Sequence, residues 1–210
     1  MAQQGTLYII SSPSGAGKSS LLNALLTQHN AAGKMQLSVS HTTRATRPGE
    51  EHGVHYHFVQ VEEFKALIER GDFLEWAEVY ANGYATSERW IREQLSTGRD
   101  ILLEIDWQGA QQVRKVFPEA VGIFILPPSV ETLEERLRRR GKDSEEVIQH
   151  RMAIVRSEID HVAEFDYIII NEELDHAVHD LVSIVRAERV RTKKQLQKRA
   201  TQIASMQSNG

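Results

Sequence analysis

Four apolar runs divide the chain: Leu7 to Ile10, Ile101 to Ile105, Val121 to Leu126 and Tyr167 to Ile170. None alternates with polar residues, so each predicts a strand covered on both faces, the mark of a parallel sheet. Between the runs, apolar residues recur at helical spacing, as in Leu21, Leu22, Leu25 and Leu26, in Leu133 and Leu137, and in Val178, Leu181, Val182 and Val185. Strand and helix in alternation predict a doubly wound α/β fold. The segment from about Ser38 to Ser87 follows another rule. Val54 to Phe58 alternates with period two, Phe64, Leu67 and Ile68 suit a short helix ending at Gly71, and Phe73 to Val79 reads as a further strand. An antiparallel insertion beside the main sheet is expected there.

Two polar stretches complete the plan. Arg136 to Ser144 ends one helix at Gly141 and starts another, with Asp143 or Ser144 as N-cap, which gives an arginine-rich, hinged lid at about 138–151. From Arg186 to Arg199 a helix is expected, with Arg189, Arg191, Lys193, Lys194, Lys198 and Arg199 on it as a solvated face rather than a nucleic-acid contact. Only Gln207 to Gly210 reads as disordered.

Composition narrows the class. At 210 residues the chain suits one α/β domain, 5–185, with small insertions and a C-terminal helix and tail, 186–210. A formal net charge of −4 gives no general attraction to nucleic acid or membrane, so anions must be held by local basic sites. The absence of cysteine excludes disulfides, thiolate metal sites and cysteine nucleophiles. Met1 to Gly5 has neither the basic nor the apolar region of a signal peptide, and a cytoplasmic protein is expected.

The candidate chemistry begins directly after the first strand. Ser12, Pro13, Ser14, Gly15, Ala16, Gly17, Lys18, Ser19 and Ser20 read as a phosphate cradle. The two glycines let successive N–H groups turn inward around an anion at a helix start. Lys18 adds a mobile positive charge, and the Ser19 hydroxyl is a magnesium ligand. The usual P-loop pattern opens with glycine, where this one has Ser12. A second basic site follows: Arg44 and Arg47, three apart in a polar loop, with Tyr56 beyond, can hold another phosphate in a fixed orientation.

With these residues and Phe73-Leu74-Glu75-Trp76, Ile105-Asp106-Trp107-Gln108-Gly109, and Arg140-Gly141 with Arg151, the chain resembles guanylate kinases over nearly its whole length. The resemblance implies a P-loop kinase fold, with a parallel β-sheet core flanked by helices, an inserted GMP-binding β subdomain and an arginine-rich lid. It implies ATP-dependent phosphorylation of GMP, and of dGMP, to the diphosphate, with magnesium. Carried over by position, it makes Arg44, Arg47, Tyr56 and Tyr84 the clamp on the GMP phosphate, and sets Ser40, Glu75, Thr86, Glu104, Asp106 and Gly109 near the guanine. Arg136, Arg140 and Arg151 match lid positions that reach the transferred phosphate, and Asn171 matches an adenine contact. Asp106 is open to guanine contact, to magnesium through water, or to a structural bond at the strand end, with the first two favoured jointly. Glu104 stands where the family commonly has aspartate, and Ala85 where glycine is usual.

The residue types agree with that chemistry. A GMP phosphate is largely deprotonated at neutral pH, its second pKa being about 6, so no strong general base is required. The barrier is repulsion between polyanions, which converging cations lower. Guanine offers two donors, N1–H and the exocyclic amine, that match one carboxylate, and Glu75 is the candidate. Competing readings are a non-catalytic guanylate-kinase-like binding domain and a GTPase. Lys18 with the lid arginines opposes the first, and the lack of an Asn-Lys-x-Asp motif opposes the second. The near neighbours His52, His55 and His57 are read as ordinary surface residues rather than a metal site, and Trp76, Trp90 and Trp107 as core or interface residues. ATP and GMP are the expected partners, with no nucleic acid and no membrane, and a homodimer is left open.

Overall fold

A computed structural model describes residues 4–13, 15–30, 33–79, 81–139 and 145–208. The sequence lays down β1 (Leu7–Ser11), α1 (Lys18–Gln28), β2 (Met35–Leu37), β3 (His41–Thr42), β4 (His57–Phe58), α2 (Val61–Glu69), β5 (Phe73–Val79) and β6 (Asn82–Ser87). Then come α3 (Glu88–Ser96), β7 (Asp100–Glu104), α4 (Trp107–Val116), β8 (Val121–Leu126), α5 (Val130–Arg139) and α6 (Glu145–Ile159). A 3-10 turn at Val162–Glu164 leads into β9 (Tyr167–Ile170), α7 (Leu174–Arg189), α8 (Thr192–Lys198) and α9 (Ala200–Ser208).

The main sheet is parallel throughout, in the order β2-β7-β1-β8-β9. β1 lies at its centre, with Ile9 level with Leu103 on one side and Ile10 level with Ile123 on the other. Its alternate side chains go to opposite layers. Tyr8 and Ile10 join Leu21, Leu25, Leu181 and Val185 under α1 and α7, whereas Leu7 and Ile9 join Ile91, Leu95 and Val113 under α3 and α4. Coverage of both faces explains why β1, β7 and β8 carry no polar alternation. At the edge strand β9 the expectation of two covered faces fails: Ile168 and Ile170 are 53% and 48% exposed, because only the face carrying Ile169 meets a helix layer.

The insertion forms a second sheet, β4-β3-β6-β5. Two of its pairings are antiparallel as expected, but β3 and β4 run parallel, since the loop between them returns to the same end. Val54 to Phe58 is not one strand. Gly53 has φ +78°, Val54 and His55 both donate to the carbonyl of Glu51, Tyr56 makes only an isolated bridge back to His52, and His57 and Phe58 alone pair with another strand. The alternation there belongs to a turn. Three polar or short elements, β2, β6 and α9, carry too little apolar pattern to be read in advance.

The C-terminal stretch is also not a single helix. It breaks after Arg189, where its basic residues turn back onto the chain: Arg189 donates to Asp100 at 2.8 Å, Arg191 pairs with Glu188 at 3.0 Å, and Lys193 and Lys194 reach Glu119 and Thr6. Helix α9 extends through Gln207 to Ser208. The lid caps Asp143 and Ser144 lie outside the described residues.

Candidate active site

The site gathers where the parallel strands end, the place open α/β sheets reserve for ligands. β1 gives way to Ser12 and Pro13, and Ala16 closes a turn by donating to the Pro13 carbonyl at 3.1 Å. Gly15 and Gly17 have φ +97° and +92°, left-handed values closed to most residues, and Gly17 caps α1 without a side chain. Both also lack a Cβ for reasons of space. A Cβ on Gly15 would press on Leu137 at 3.3 Å, and one on Gly17 would lie 2.3 Å from the Asn171 amide nitrogen. Ser14 lies outside the described residues.

Asn171, one residue past β9, is buried and donates its amide to the Ala16 carbonyl at 2.7 Å, while Arg136 donates to the Asn171 carbonyl at 3.3 Å. Its amide is thus a strut under the cradle. Beside it lies a cleft of about 370 Å³ lined by Gly15, Gly17, Ser20, Arg136, Arg139, Asn171, Glu172 and Leu174.

Lys18 opens α1 and is half-buried. Burial lowers its pKa from the ordinary lysine value, opposed by the negative charges of Glu104, Asp106 and Glu158. Ser19 donates its hydroxyl to Glu104 at 2.6 Å. That bond ties Glu104, at the end of β7, to the P-loop side of the site. Asp106 caps α4, its carboxylate accepting from the Gly109 N–H at 2.8 Å.

Ser19, Glu104 and Asp106 are hard oxygen donors, and magnesium characteristically takes one or two protein oxygens with substrate phosphates and water supplying the rest. The Ser19 proton is committed to Glu104, which leaves that hydroxyl oxygen free to coordinate. No cluster of three or more His, Cys, Asp or Glu suited to a metal occurs among the described residues.

On the other side, β5 and β6 pair Glu75 with Thr86. Glu75 is 5% exposed and accepts from the Thr86 hydroxyl at 2.5 Å. Burial pushes its pKa up to about 7, the Asp106 charge adds to that, and the Thr86 bond works the other way. Gly109 borders the carboxylate: a Cβ there would lie 3.1 Å from Glu75 Oε2 and 3.4 Å from Asp106 Oδ1.

The arginine loop is closed on itself. Arg44 donates to both oxygens of Glu50, at 2.7 and 3.0 Å, and to the Ala45 carbonyl at 2.7 Å, while the Arg47 backbone N–H donates to Glu50 at 2.8 Å. Glu50 holds the Arg44 pKa above its ordinary value, and Arg44 holds that of Glu50 below the usual carboxylate range. The guanidinium lies 5.4 Å from the centre of the Tyr56 ring, and Tyr84 meets Tyr56 edge-on at 6.0 Å. Arg47 is exposed, and the Ser40 carbonyl accepts from the His57 N–H at 2.8 Å. Ala85 is buried within β6 with regular pairing, so no glycine is required after Tyr84.

Sequence reasoning missed Glu50 as the counterion of Arg44; the signal was a carboxylate six residues on, behind the Gly49 turn. Trp107, read as a core or interface residue, is stacked on His161. Arg140 lies outside the described residues, and of Arg151 only its place in α6 is described.

Residues 4–188 match the family model described as guanylate kinase. The chain belongs to the guanylate kinase family. It is 59% identical over 187 residues to a guanylate kinase of Aromatoleum aromaticum, covering 89% of this chain and 90% of the relative. To one of Chromobacterium violaceum it is 55% identical over 206 residues, covering 98% and 97%. The crystal structure of a guanylate kinase from Anaplasma phagocytophilum superposes with a TM-score of 0.75 at 34% identity, over 93% of each chain. Family membership makes this chain a nucleoside monophosphate kinase of mixed α/β fold.

Proposed function

We infer that the protein transfers the terminal phosphoryl group of ATP to GMP, and to dGMP, releasing ADP and serving guanine-nucleotide recycling in the cytoplasm. The observation that carries this reading is a phosphate cradle at the end of β1 set beside a buried acidic pocket, Glu75 with Asp106 and Gly109, at the end of the neighbouring strand β7. One end binds triphosphate and the other reads a base.

The donor residues are 12–20 with Arg136 and Asn171, and Lys18 offsets charge on the terminal phosphates. Arg44, Arg47, Tyr56 and Tyr84 grip the acceptor phosphate. Glu75 in its ionised form accepts from guanine N1–H and the amine, whereas adenine would turn a lone pair toward it. Thr86 and Asp106 hold that pocket in shape, and Ser40 borders it. A deprotonated acceptor oxygen forms the new bond to the γ-phosphorus as the bond to the ADP oxygen breaks. Ser19, with Glu104 and Asp106 behind it, holds magnesium, which when bound neutralises charge on the transferring phosphates. Arg140 and Arg151 come in with the lid, 138–151, whose closure excludes water. The acceptor insertion spans about 38–87 of a domain at 5–185, with 186–210 appended. No helix among the described residues is long and apolar enough to cross a membrane.

An activity screen with ATP against GMP, dGMP, AMP, CMP and UMP tests the reading. ADP should form only with the guanine acceptors. Equal use of AMP overturns the base assignment, and no ADP with any acceptor would leave a binding domain.

A further inference from the structure

We propose that Trp107 and His161 are positioning residues for phosphoryl transfer, whose stack fixes the base of the lid helix to the helix that frames the guanine pocket. The inference rests on the guanylate kinase reading. Trp107 is the first residue of α4, directly after the capping Asp106, and His161 stands two residues past the end of α6. Their rings lie 3.4 Å apart between centres and only 9° from parallel. Both residues are half-buried.

A second contact locks the first. His161 bonds to Glu164 Oε1 at 2.6 Å through Nδ1, and the other oxygen of Glu164 accepts from Gln111 at 2.9 Å. Trp107 and Gln111 are four apart, hence on one face of α4, so that face holds the imidazole both by stacking and through Glu164. The backbone turns at the same point: Asp160 donates to Arg156, His161 to Glu158, and Glu164 to His161.

The opposite end of the connection is equally firm. Ile148, Met152 and Val155 of α6 pack with Leu133, Leu137 and Ala16, so the lid helix rests on the phosphate cradle. α6 is therefore referenced to the donor site along its length and to the acceptor site at its foot. With its foot held there, α6 keeps the phosphate cradle and the guanine pocket in one relation to each other. Without the stack that relation spreads over several orientations, and small misplacements of reacting groups are costly in rate.

The test uses His161→Ala and His161→Phe in the full chain. Phenylalanine keeps a flat ring on Trp107 and alanine does not. His161→Ala should lower kcat about 10-fold while leaving the calorimetric Kd for GMP within about 2-fold, and His161→Phe should recover most of the lost kcat. In a Trp76→Phe, Trp90→Phe background, the emission of Trp107 should change with His161→Ala and stay close to that of the parent with His161→Phe. An unchanged kcat in His161→Ala overturns the proposal, as does a GMP Kd weakened as much as kcat falls. Failure of His161→Phe to recover activity overturns it too, since a flat stack would then not be what matters. A wild-type chain without GMP-dependent turnover would instead refute the kinase reading, while the emission change still reports the stack.

Discussion

The donor and acceptor halves of the site are built by opposite means. The donor half is made of backbone: two left-handed glycines, a helix start, an Asn171 strut and the apolar packing of Leu133 and Leu137 behind it. The acceptor half is made of side chains, and two of its charged ones are balanced before any ligand arrives, Arg44 by Glu50 and Glu75 by burial that holds it close to neutrality. A polyphosphate asks for positive potential, which amides and a helix terminus supply without titrating. A base asks for a pattern of donors and acceptors, which only side chains in a chosen ionisation state supply. Titration should therefore perturb the acceptor half, and geometry together with the fixed charge of Lys18 the donor half.

The largest effect is expected in the donor half. Lys18→Ala should cut kcat by about 10² to 10³-fold with Tm little changed, because the lost charge acts on the phosphates rather than in the core. Turnover above half of normal would remove Lys18 from the mechanism.

Next comes the base reader. Glu75→Ala leaves two guanine donors unpaired in a closed pocket, at a cost on the order of 2 to 4 kcal/mol, or roughly 30-fold to 1,000-fold in kcat/KM for GMP. Discrimination against AMP should shrink as well. pH gives a second readout. With a free-state pKa of about 7, raised above the ordinary glutamate value, Glu75 stays protonated in the fold where the unfolded chain has already lost its proton. Its contribution to stability is thus complete at acid pH and is lost as pH rises toward 7. GMP selects the ionised form, so its binding should tighten over the range in which this stability is lost. Glu75→Gln should abolish both trends, and a GMP titration whose Glu75-dependent part is flat between pH 6 and 8 would refute the assignment.

Arg44→Ala should raise the GMP KM by about 10-fold to 100-fold, with Arg44→Lys restoring only part, since lysine lacks the fork that meets two oxygens. The ATP KM should hold. Equal weakening of both substrates would blur the division between the halves.

What the sequence disclosed follows the same division. The cradle was legible because its parts are contiguous, and β1, β7 and β8 because burial fixes their composition. The Ser19 bond to Glu104 was not legible, because a carboxylate at a strand end can serve a base or a serine, and only the fold shows that Ser19, 85 residues earlier, donates to it. The Trp107 and His161 stack joins residues 54 positions apart, and no local pattern marks it. The turn at Gly53 imitated a strand because apolar Val54, Tyr56 and Phe58 happen to alternate with His55 and His57.

The smallest effect belongs to the histidines behind the arginine loop. His41 on β3 lies 4.7 Å from His57, and His57 lies 5.5 Å from His52, measured between ring centres. Phe73 of β5 closes the other side of His41, backed by Phe64 of α2. His52 and His55 accept backbone N–H bonds at Nδ1, from Phe58 and Glu51, which only unprotonated nitrogens can do. Burial, then His57 and His52, hold the His41 pKa down to about 4, and no carboxylate offsets them. A lowered histidine pKa means that the unfolded chain takes up protons first. Stability is therefore complete above pH 6.5 and falls as pH drops from there toward 4. His41→Phe removes the titration without breaking a bond, since the buried His41 Nδ1 has no partner. Between pH 7.5 and 5.5 the wild-type Tm should fall by a few degrees more than that of His41→Phe, on a scale where 1 kcal/mol shifts a chain this long by about 2–4 °C. The GMP KM should rise over the same interval more than the ATP KM, because Arg44, Arg47 and Tyr56 all lie on the loop between His41 and His57. Equal pH dependence of Tm in the two proteins would show that the cluster titrates without consequence, and the acceptor half would owe its acid sensitivity to Glu75 and the GMP phosphate alone.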